Sequence, residues 1–330
     1  MEDVEALHYQ KKEEKKVECF LCPHRCVIQE GKTGLCGVRE NREGTLYSNS
    51  YGRTVTINVD PVEKKPLYHF LPGSRILSIG PNGCTMTCRF CQNWNISQEK
   101  VPTRFLSPSS LADLAAERGC AGVAFTYTEP IIWFEYLIDT LPVLRERGIK
   151  SVMVTNGYIN REPGLELAPM VDGFNIDLKG FNEEFYRKYC GAHLEPVRNF
   201  IEIAAEHSHV EVTNLIIPTL NDDMDEIEEM VIFLSGISRS IPLHFSRFFP
   251  QYRMDHLDST PGETLSSAFD IAKRYLDYVY LGNIFIEGTD KTRCPSCGSV
   301  VIERGGYARN ELNESGECPG CGKIIKGVWS

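Results

Sequence analysis

The chain has 330 residues, of which 42% are hydrophobic, and it carries a formal net charge of −10. This length can bury one large core, and the sequence contains no apolar run long enough to span a membrane. The acidity argues against non-specific binding of nucleic acid, which requires a basic face. The charged N-terminal stretch lacks the apolar segment of a secretory signal, so we expect a cytoplasmic protein with reduced thiols.

Thirteen cysteines divide the chain into regions. We predict a Cys-rich N-terminal region over residues 1–73, a strand–helix repeat over 74–289 and a four-Cys metal ribbon over 290–330. Two cysteines, Cys120 and Cys190, stand apart from the groups and are predicted to be buried structural thiols. So many cysteines in a reducing compartment indicate metal or redox chemistry more than disulfides.

The first cysteine group has the spacing C-x2-C-x3-C-x9-C. Its members are Cys19, Cys22, Cys26 and Cys36. Four thiolates suit either zinc or an auxiliary [4Fe–4S] cluster, and His24 adds a further ligand type. The irregular spacing does not decide between zinc, a second iron–sulfur cluster and no metal.

The middle region alternates short apolar runs, such as "RILSIG" and "SVMVTN", with helical patterns. Ser107 followed by Pro108 is typical of a helix N-cap with proline at the first helical position. Strand–helix repetition predicts parallel strands with crossover helices. The fold class is therefore α/β, as a partial (β/α)6-type barrel whose functional residues gather where the strands end.

Polar side chains follow these apolar runs at the predicted strand ends. They are Thr128 and Glu129, Thr155 and Asn156, Asp177 and Lys179, Asn214, and His244. Each has a structural alternative: the Asp–Lys pair as an ion pair at the barrel rim, the Thr–Asn pair as a turn, and the histidine as a core residue. Their recurrence at successive strand ends favours a shared functional site.

The loop after the first strand of the repeat carries Cys84, Cys88 and Cys91 with the spacing C-x3-C-x2-C. Three thiolates can hold three irons of a [4Fe–4S] cluster and leave the fourth iron open to a small molecule, as catalytic metals keep one position free. A zinc clip with a distant fourth ligand is the alternative.

This loop resembles the signature of the radical S-adenosylmethionine (SAM) superfamily, in which an aromatic residue precedes the last cysteine, as Phe90 does here. The resemblance implies that SAM binds the open iron through its amino and carboxylate groups. It also implies that an electron from the cluster cleaves SAM to methionine and a 5′-deoxyadenosyl radical, which abstracts hydrogen from a substrate.

Within that superfamily the chain is most similar to activases of glycyl-radical enzymes, such as the pyruvate formate-lyase activating enzyme. The resemblance places "TEP" (Thr128–Pro130) where the activases have a Gly-Gly-Glu element facing the SAM amino group. It gives "TNG" (Thr155–Gly157) a contact with ribose and methionine, although Val154 stands where the activase has an aspartate.

The strand end "DLK" matches the activases closely. By this resemblance Asp177 would take the ribose hydroxyls and Lys179 the SAM carboxylate. Asn214 lies on the following strand, and His244 matches a histidine near the adenosine.

The last cysteine group consists of two "CPxCG" knuckles. They hold Cys294 and Cys297, then Cys318 and Cys321. Four thiolates arranged tetrahedrally suit zinc, the metal we expect here, or a rubredoxin-like iron. The segment between the knuckles is predicted to form a small hairpin in a zinc-ribbon-like unit.

The complete layout also resembles the AmmeMemoRadiSam system radical SAM enzymes. The matching stretches are "CPHRC…GLCGVREN", "DPVEKKPLYHFLPG", "GCTMTCRFCQNWNISQ" and "CPGCGKIIKGVW". The family name records association with two other protein families, one of them Memo-like, and implies such a partner without a substrate.

These observations predict a radical SAM oxidoreductase that abstracts hydrogen from a protein, as an activase does, and receives electrons from a flavodoxin- or ferredoxin-type reductant. The alternatives are radical modification of a small metabolite or nucleoside, and a non-catalytic iron–sulfur electron carrier. A nucleic-acid-binding zinc ribbon is disfavoured because acidic residues nearly balance the basic ones in residues 290–330.

Overall fold

The computed structural model describes residues 4–305 and 307–330. Short strands make up the N-terminal region: β1 (Val4–Glu5), β2 (Tyr9–Lys11), β3 (Val17–Cys19), β4 (Val27–Ile28), β5 (Arg39–Arg42), β6 (Thr45–Ser48) and β7 (Arg53–Thr54). They form two small antiparallel sheets, ordered β2-β3-β4 and β1-β6-β5, while β7 pairs with a later strand. Each hairpin positions part of the first cysteine group.

Strands and helices alternate through the middle of the chain. The strands are β8 (Thr56–Pro61), β9 (Arg75–Gly80), β10 (Arg104–Phe105), β11 (Gly122–Phe125), β12 (Lys150–Thr155), β13 (Gly173–Asp177), β14 (His209–Ile216), β15 (Leu243–Arg247) and β16 (Val279–Gly282). The α-helices are α1 (Trp94–Ser97), α2 (Pro108–Glu117), α3 (Phe134–Glu146), α4 (Arg161–Leu167), α5 (Glu183–Phe185), α6 (Leu194–His207), α7 (Met224–Ile237) and α8 (Gly262–Lys273). Single turns of 3₁₀-helix cover Val62–Lys64, Pro130–Trp133, Ala168–Met170 and Tyr252–Met254, and a π-helix covers Tyr186–Cys190.

In the described part of the chain, an eight-stranded sheet has the order β16-β15-β14-β13-β12-β11-β9-β8. Every neighbouring pair from β9 to β16 is parallel, and only β8 runs antiparallel, against β9. The predicted α/β fold with a mostly parallel sheet is therefore confirmed. The sheet also includes β8, which lies inside the predicted N-terminal region.

Helix starts follow local capping chemistry. The Ser107 side chain accepts a hydrogen bond from Ser110 N at 3.1 Å, with Pro108 at the first helical position, so the predicted start of α2 is confirmed. At α7, the Asp223 carboxylate accepts from two successive backbone N–H groups at 3.0 Å. Such caps satisfy N–H groups that have no partner within the helix.

The two faces of the sheet are covered differently. One face packs against the helices through large buried side chains, including Leu77, Phe125, Met153, Phe174 and Val212. The other is closed by the segment after β8, whose Val62, Leu67 and Phe70 pack on Ile76, Ala124 and Val152. The same segment continues into a polar network beneath the sheet.

Glu211 on β14 is the centre of that network. Its carboxylate is fully buried and accepts from the backbone N–H groups of Tyr68 at 3.0 Å and His69 at 2.7 Å. It also contacts the imidazoles of His209 at 3.0 Å and His244 at 2.6 Å. Burial would raise the pKa of this carboxyl, but the hydrogen bonds from the two histidines hold it well below its usual range.

The C-terminal region folds onto this network. It comprises β17 (Thr292–Arg293), β18 (Val300–Gly305) and β19 (Tyr307–Asn310) in one antiparallel sheet. Arg304 donates to Tyr68 O at 2.6 Å, His69 Nδ1 lies 3.0 Å from Lys326 O, and Val328 bridges to Phe70. The ribbon is thus packed against the body of the protein. None of the described helices has the length and apolar character needed to cross a membrane.

Candidate functional site

The carboxyl ends of four neighbouring parallel strands meet at one edge of the sheet. The three-cysteine loop follows β9, Glu129 follows β11, Thr155 ends β12 and Asp177 ends β13. In an open parallel sheet this edge is where ligands bind, because loops rather than helices cover it. The strand order therefore brings the sequence-predicted residues to one place.

The three-cysteine loop is held by backbone contacts on both sides. Gly83 has φ = +115°, and a Cβ there would lie 2.5 Å from Cys36 O, so only glycine allows the loop to approach the N-terminal region. On the other side, Thr87 N donates to Cys190 O at 2.9 Å and Arg89 N to Tyr189 O at 2.9 Å. The π-helix thus fixes the loop through its carbonyl groups.

The π-helix also brings Cys190 to the site, a role that sequence reasoning missed. The nearby sulfur of Cys190 and then burial raise the pKa of the Cys88 thiol well above its ordinary value. The following Gly191 has φ = +66°, and a Cβ there would lie 2.5 Å from Thr87 Oγ1. Gly191 is the sequence signal that could have indicated this contact, because a glycine at that position lets the π-helix end against the cysteine loop.

Glu129 and Asn156 connect the neighbouring strand ends to the first cysteine of the loop. The Glu129 carboxylate accepts from Thr155 Oγ1 at 2.6 Å, Asn156 N at 2.8 Å and Ile131 N at 3.0 Å. Asn156 Nδ2 lies 3.0 Å from Thr85 Oγ1 and 3.6 Å from Cys84 Sγ. A continuous set of polar contacts therefore runs from the carboxylate to the thiol.

The environment of Glu129 shifts its protonation. Burial raises the pKa of this carboxyl to about 7, although the hydrogen bonds from Thr155, Asn156 and Ile131 act in the opposite direction. A carboxyl group in this position changes its charge close to neutral pH, next to Cys84.

Asp177 and Lys179 lie on the other side of the loop. Lys179 Nζ lies 2.9 Å from Asp177 Oδ2, and the lysine side chain is 15% exposed against 35% for the aspartate. Burial alone would lower the pKa of Lys179, but the charge of Asp177 and then the sulfurs of Cys88 and Cys190 raise it well above its ordinary value. The pair presents a permanent cation and a partly exposed carboxylate beside the thiols.

The remaining predicted residues lie outside this set of contacts. Thr128 Oγ1 donates to Pro81 O at 2.7 Å, and Phe90 packs against Phe185 with ring centroids 5.9 Å apart. Asn214 Nδ2 donates to Leu178 O at 2.7 Å and supports the "DLK" segment, while its buried Oδ1 has no partner among the described residues. His244 belongs to the Glu211 network.

A second polar cluster adjoins the site and was not predicted. Lys65 Nζ lies 2.9 Å from Asp60 Oδ2 and 4.6 Å from the centre of the Tyr127 ring, and Tyr127 OH lies 3.0 Å from the same carboxylate oxygen. Tyr127 has φ = +70°, and its carbonyl accepts from Asn93 Nδ2 at 2.6 Å, which ties this cluster to the cysteine loop. Lys65 is part of the quoted "DPVEKKP" stretch, but nothing local to that stretch predicts its partners.

The donor set of the loop fits a [4Fe–4S] cluster. The ligand atoms of a single small ion lie close to one another. In the described residues, no group whose ligand atoms all lie within 4.8 Å of one another includes Cys84, Cys88 or Cys91. Burial raises the pKa of Cys84 and of Cys91, so these thiols are neutral without a metal, and bound iron would supply the charge that favours the thiolate.

The four ribbon cysteines form a compact group of a different kind. The Sγ atoms of Cys294, Cys297, Cys318 and Cys321 all lie within 4.8 Å of one another. Two Sγ–Sγ pairs, Cys294–Cys321 and Cys297–Cys318, are 3.6 and 3.7 Å apart. Hydrogen bonds from Ser299 lower the pKa of Cys297 and Cys318. The group could bind one metal ion.

Comparison with known proteins agrees with this geometry. Residues 78–234 match the family model described as "Radical SAM superfamily". The uncharacterized protein MJ0808 of Methanocaldococcus jannaschii is 42% identical over 330 residues, which covers 97% of this chain and 98% of the relative. The chain belongs to the radical SAM superfamily.

Relatives of known activity are more distant. The pyruvate formate-lyase-activating enzyme of Clostridium pasteurianum is 27% identical over 164 residues, covering 47% of this chain and 67% of that enzyme. The crystal structure of SuiB from Streptococcus suis has a TM-score of 0.51 at 13% identity, covering 67% of this chain and 52% of SuiB, and supports the fold alone. Homology to activating enzymes is thus present at low identity.

Proposed function

We propose that the chain is a radical SAM enzyme of the activating-enzyme type. Cys84, Cys88 and Cys91 would hold a [4Fe–4S] cluster, and SAM would bind at its open iron. When bound, the reduced cluster and SAM supply a 5′-deoxyadenosyl radical, which removes a hydrogen atom from a protein substrate. The protein works in the cytoplasm, with a flavodoxin- or ferredoxin-type reductant and a Memo-like partner.

One observation supports the proposal most directly. The three thiols lie at the same sheet edge as two polar pairs, Asp177 with Lys179 and Glu129 with Asn156. Lys179 holds a permanent positive charge that would bind the SAM carboxylate, and Asp177 is exposed enough to accept from ribose hydroxyls. An electron carrier would need the thiols alone. The electron-carrier alternative does not explain why a half-buried cation, a carboxylate and an amide surround the thiols.

Glu129 takes a positioning part in the proposal. Three of its acceptor positions are already used by Thr155, Ile131 and Asn156, so the carboxylate orients the strand ends instead of presenting itself fully to a ligand. Through Asn156 it fixes a side-chain amide near Cys84 Sγ. A hydrogen bond to a cluster sulfur is one of the means by which proteins tune such centres.

The ribbon is proposed to bind zinc through its four cysteines. The Sγ–Sγ separations of 3.6 and 3.7 Å support a single tetrahedral ion, because Zn–S bonds of about 2.3 Å separate the sulfurs by about 3.8 Å. Such a short segment has little core of its own, and the metal would supply part of its folding energy.

Formation of 5′-deoxyadenosine tests the proposed activity. The anaerobically reconstituted protein, incubated with SAM and dithionite, should form 5′-deoxyadenosine and methionine. Cys88→Ala should abolish it, whereas Cys120→Ala, a change at a buried cysteine outside the three groups, should not. If wild-type protein with a full complement of iron and sulfide makes no 5′-deoxyadenosine, the proposal is wrong and the electron-carrier alternative stands.

A further inference from the structure

The four N-terminal cysteines come together in space although their spacing in the sequence is irregular. One cavity of the N-terminal region is lined by Cys19, Cys22, Cys26 and Cys36. Cys19 N donates to Cys26 O at 2.9 Å across β3 and β4, and Gly37 N donates to Gly34 O at 2.9 Å around the turn that carries Cys36. All four thiols are free.

The spacing of these thiols differs from that of the ribbon. A single tetrahedral ion holds all its sulfurs about 3.8 Å apart. Among the described residues, the ribbon cysteines meet this condition, and Cys19, Cys22, Cys26 and Cys36 do not. Of the cysteines that the structure describes, the three in the radical SAM loop do not meet it either. A cubane holds its thiolates further apart than a single ion does, because each sulfur binds a different iron.

A buried cation is placed against this cavity. Arg39 is 1% exposed, and its Nη1 donates to Cys19 Sγ at 3.2 Å and to Leu7 O at 3.0 Å. Its Nη2 pairs with Glu135, while its buried Nε has no partner in the described chain. A guanidinium with an unused donor beside four sulfurs is suited to an anionic centre, since N–H groups stabilise thiolate and sulfide charge.

The cavity adjoins the radical SAM loop directly. Thr85, the neighbour of Cys84, is one of its lining residues, and His24 Nε2 lies 2.7 Å from Thr85 O. Asn156 Nδ2 contacts both Thr85 Oγ1 and Cys84 Sγ. A centre held in the cavity would therefore contact the loop itself, at the residue next to Cys84.

We propose that Cys19, Cys22, Cys26 and Cys36 hold a second [4Fe–4S] cluster, which serves as an electron-transfer centre. Four thiols would give every iron of the cluster a protein ligand and leave no open position for SAM or substrate. Held there, the cluster would supply one-electron transfer from a low-potential protein donor of the flavodoxin or ferredoxin class toward the cluster on Cys84, with no bond made or broken in the protein.

Iron counting separates this centre from the first one. The variant in which Cys84, Cys88 and Cys91 are all changed to Ala removes only the radical SAM ligands. After anaerobic purification and reconstitution, it should retain about four irons and four sulfides per chain, against about eight of each in the wild type. On reduction with dithionite it should show the paramagnetic signal of a one-electron-reduced cubane.

The complementary variant Cys22→Ala/Cys36→Ala should also keep about four irons and should still bind SAM, and Cys120→Ala should keep about eight. If the triple variant contains no iron and a second zinc in addition to that of the ribbon, or holds iron that dithionite does not reduce, the inference is overturned. Iron content and the reduced signal do not depend on SAM cleavage, so failure of the proposed activity would leave this result intact.

Discussion

Replacement of Glu211 by Ala should destabilise the protein by about 4 kcal/mol. The carboxylate is fully buried and accepts from four groups: the backbone N–H groups of Tyr68 and His69 and the side chains of His209 and His244. Each buried N–H left without an acceptor costs about 1–3 kcal/mol, and removing one partner of a buried charged set costs about 3–5 kcal/mol. The two backbone N–H groups together therefore cost about 2–6 kcal/mol, a range that contains the cost of breaking the charged set and whose middle is the stated value.

Urea unfolding followed by far-UV circular dichroism, under anaerobic conditions, measures this loss. Glu206→Ala is the matched control: this carboxylate is exposed on α6, and its removal should change the unfolding free energy by less than about 0.5 kcal/mol. In a cycle with His244→Leu, the double variant should lose less than the sum of the single losses. A Glu211→Ala loss below about 1 kcal/mol would show that water or other acceptors replace the carboxylate, and the reasoning would be refuted.

Three further predictions concern the site and the ribbon. Asp177→Ala should leave the iron–sulfur absorbance unchanged and weaken SAM binding by about tenfold or more in calorimetry, and an unchanged affinity removes Asp177 from the site. Cys297→Ala should abolish zinc binding, measured by mass spectrometry, while iron stays constant, and equal loss of iron contradicts a separate zinc site. Because the pKa of Glu129 rises from 4.5 to about 7 on folding, its stabilising contribution is complete below 4.5 and lost as pH rises through 7. The unfolding free energy of the metal-free protein, relative to Glu129→Gln, should therefore fall by about 3 kcal/mol over that interval, and a difference independent of pH contradicts the assignment.

The parts of the fold that sequence reasoning predicted depend on local chemistry. The start of α2 follows from Ser107 and Pro108, whose cap geometry involves residues only three positions apart. The parallel sheet follows from alternating apolar runs and helical patterns, because a parallel connection requires a crossover helix. Since parallel strands end at the same edge, the neighbourhood of Glu129, Thr155 and Asp177 could be predicted without any knowledge of contacts.

What could not be predicted depends on long-range packing. Cys190 lies beside the cysteine loop although its π-helix is about 100 positions away in the chain. Lys65 contacts the ring of Tyr127, a residue on a different strand end. His244 is similar in sequence context to an adenosine-facing histidine, yet the carboxylate that binds it is on a neighbouring strand, at Glu211. The periodicity of apolar residues predicts which face of a strand or helix a residue occupies, but it does not predict which distant residue that side chain contacts.

The contact between the ribbon and the segment beneath the sheet has a consequence for biosynthesis. Arg304 and Tyr68 are 236 positions apart, and Lys326 and His69 are 257 apart. The underside of the sheet therefore cannot be completed on the ribosome until residues near Val328 have emerged. Until then, Phe70 and its neighbours lack their final cover, so a nascent chain stalled before the second knuckle should be a client for chaperones.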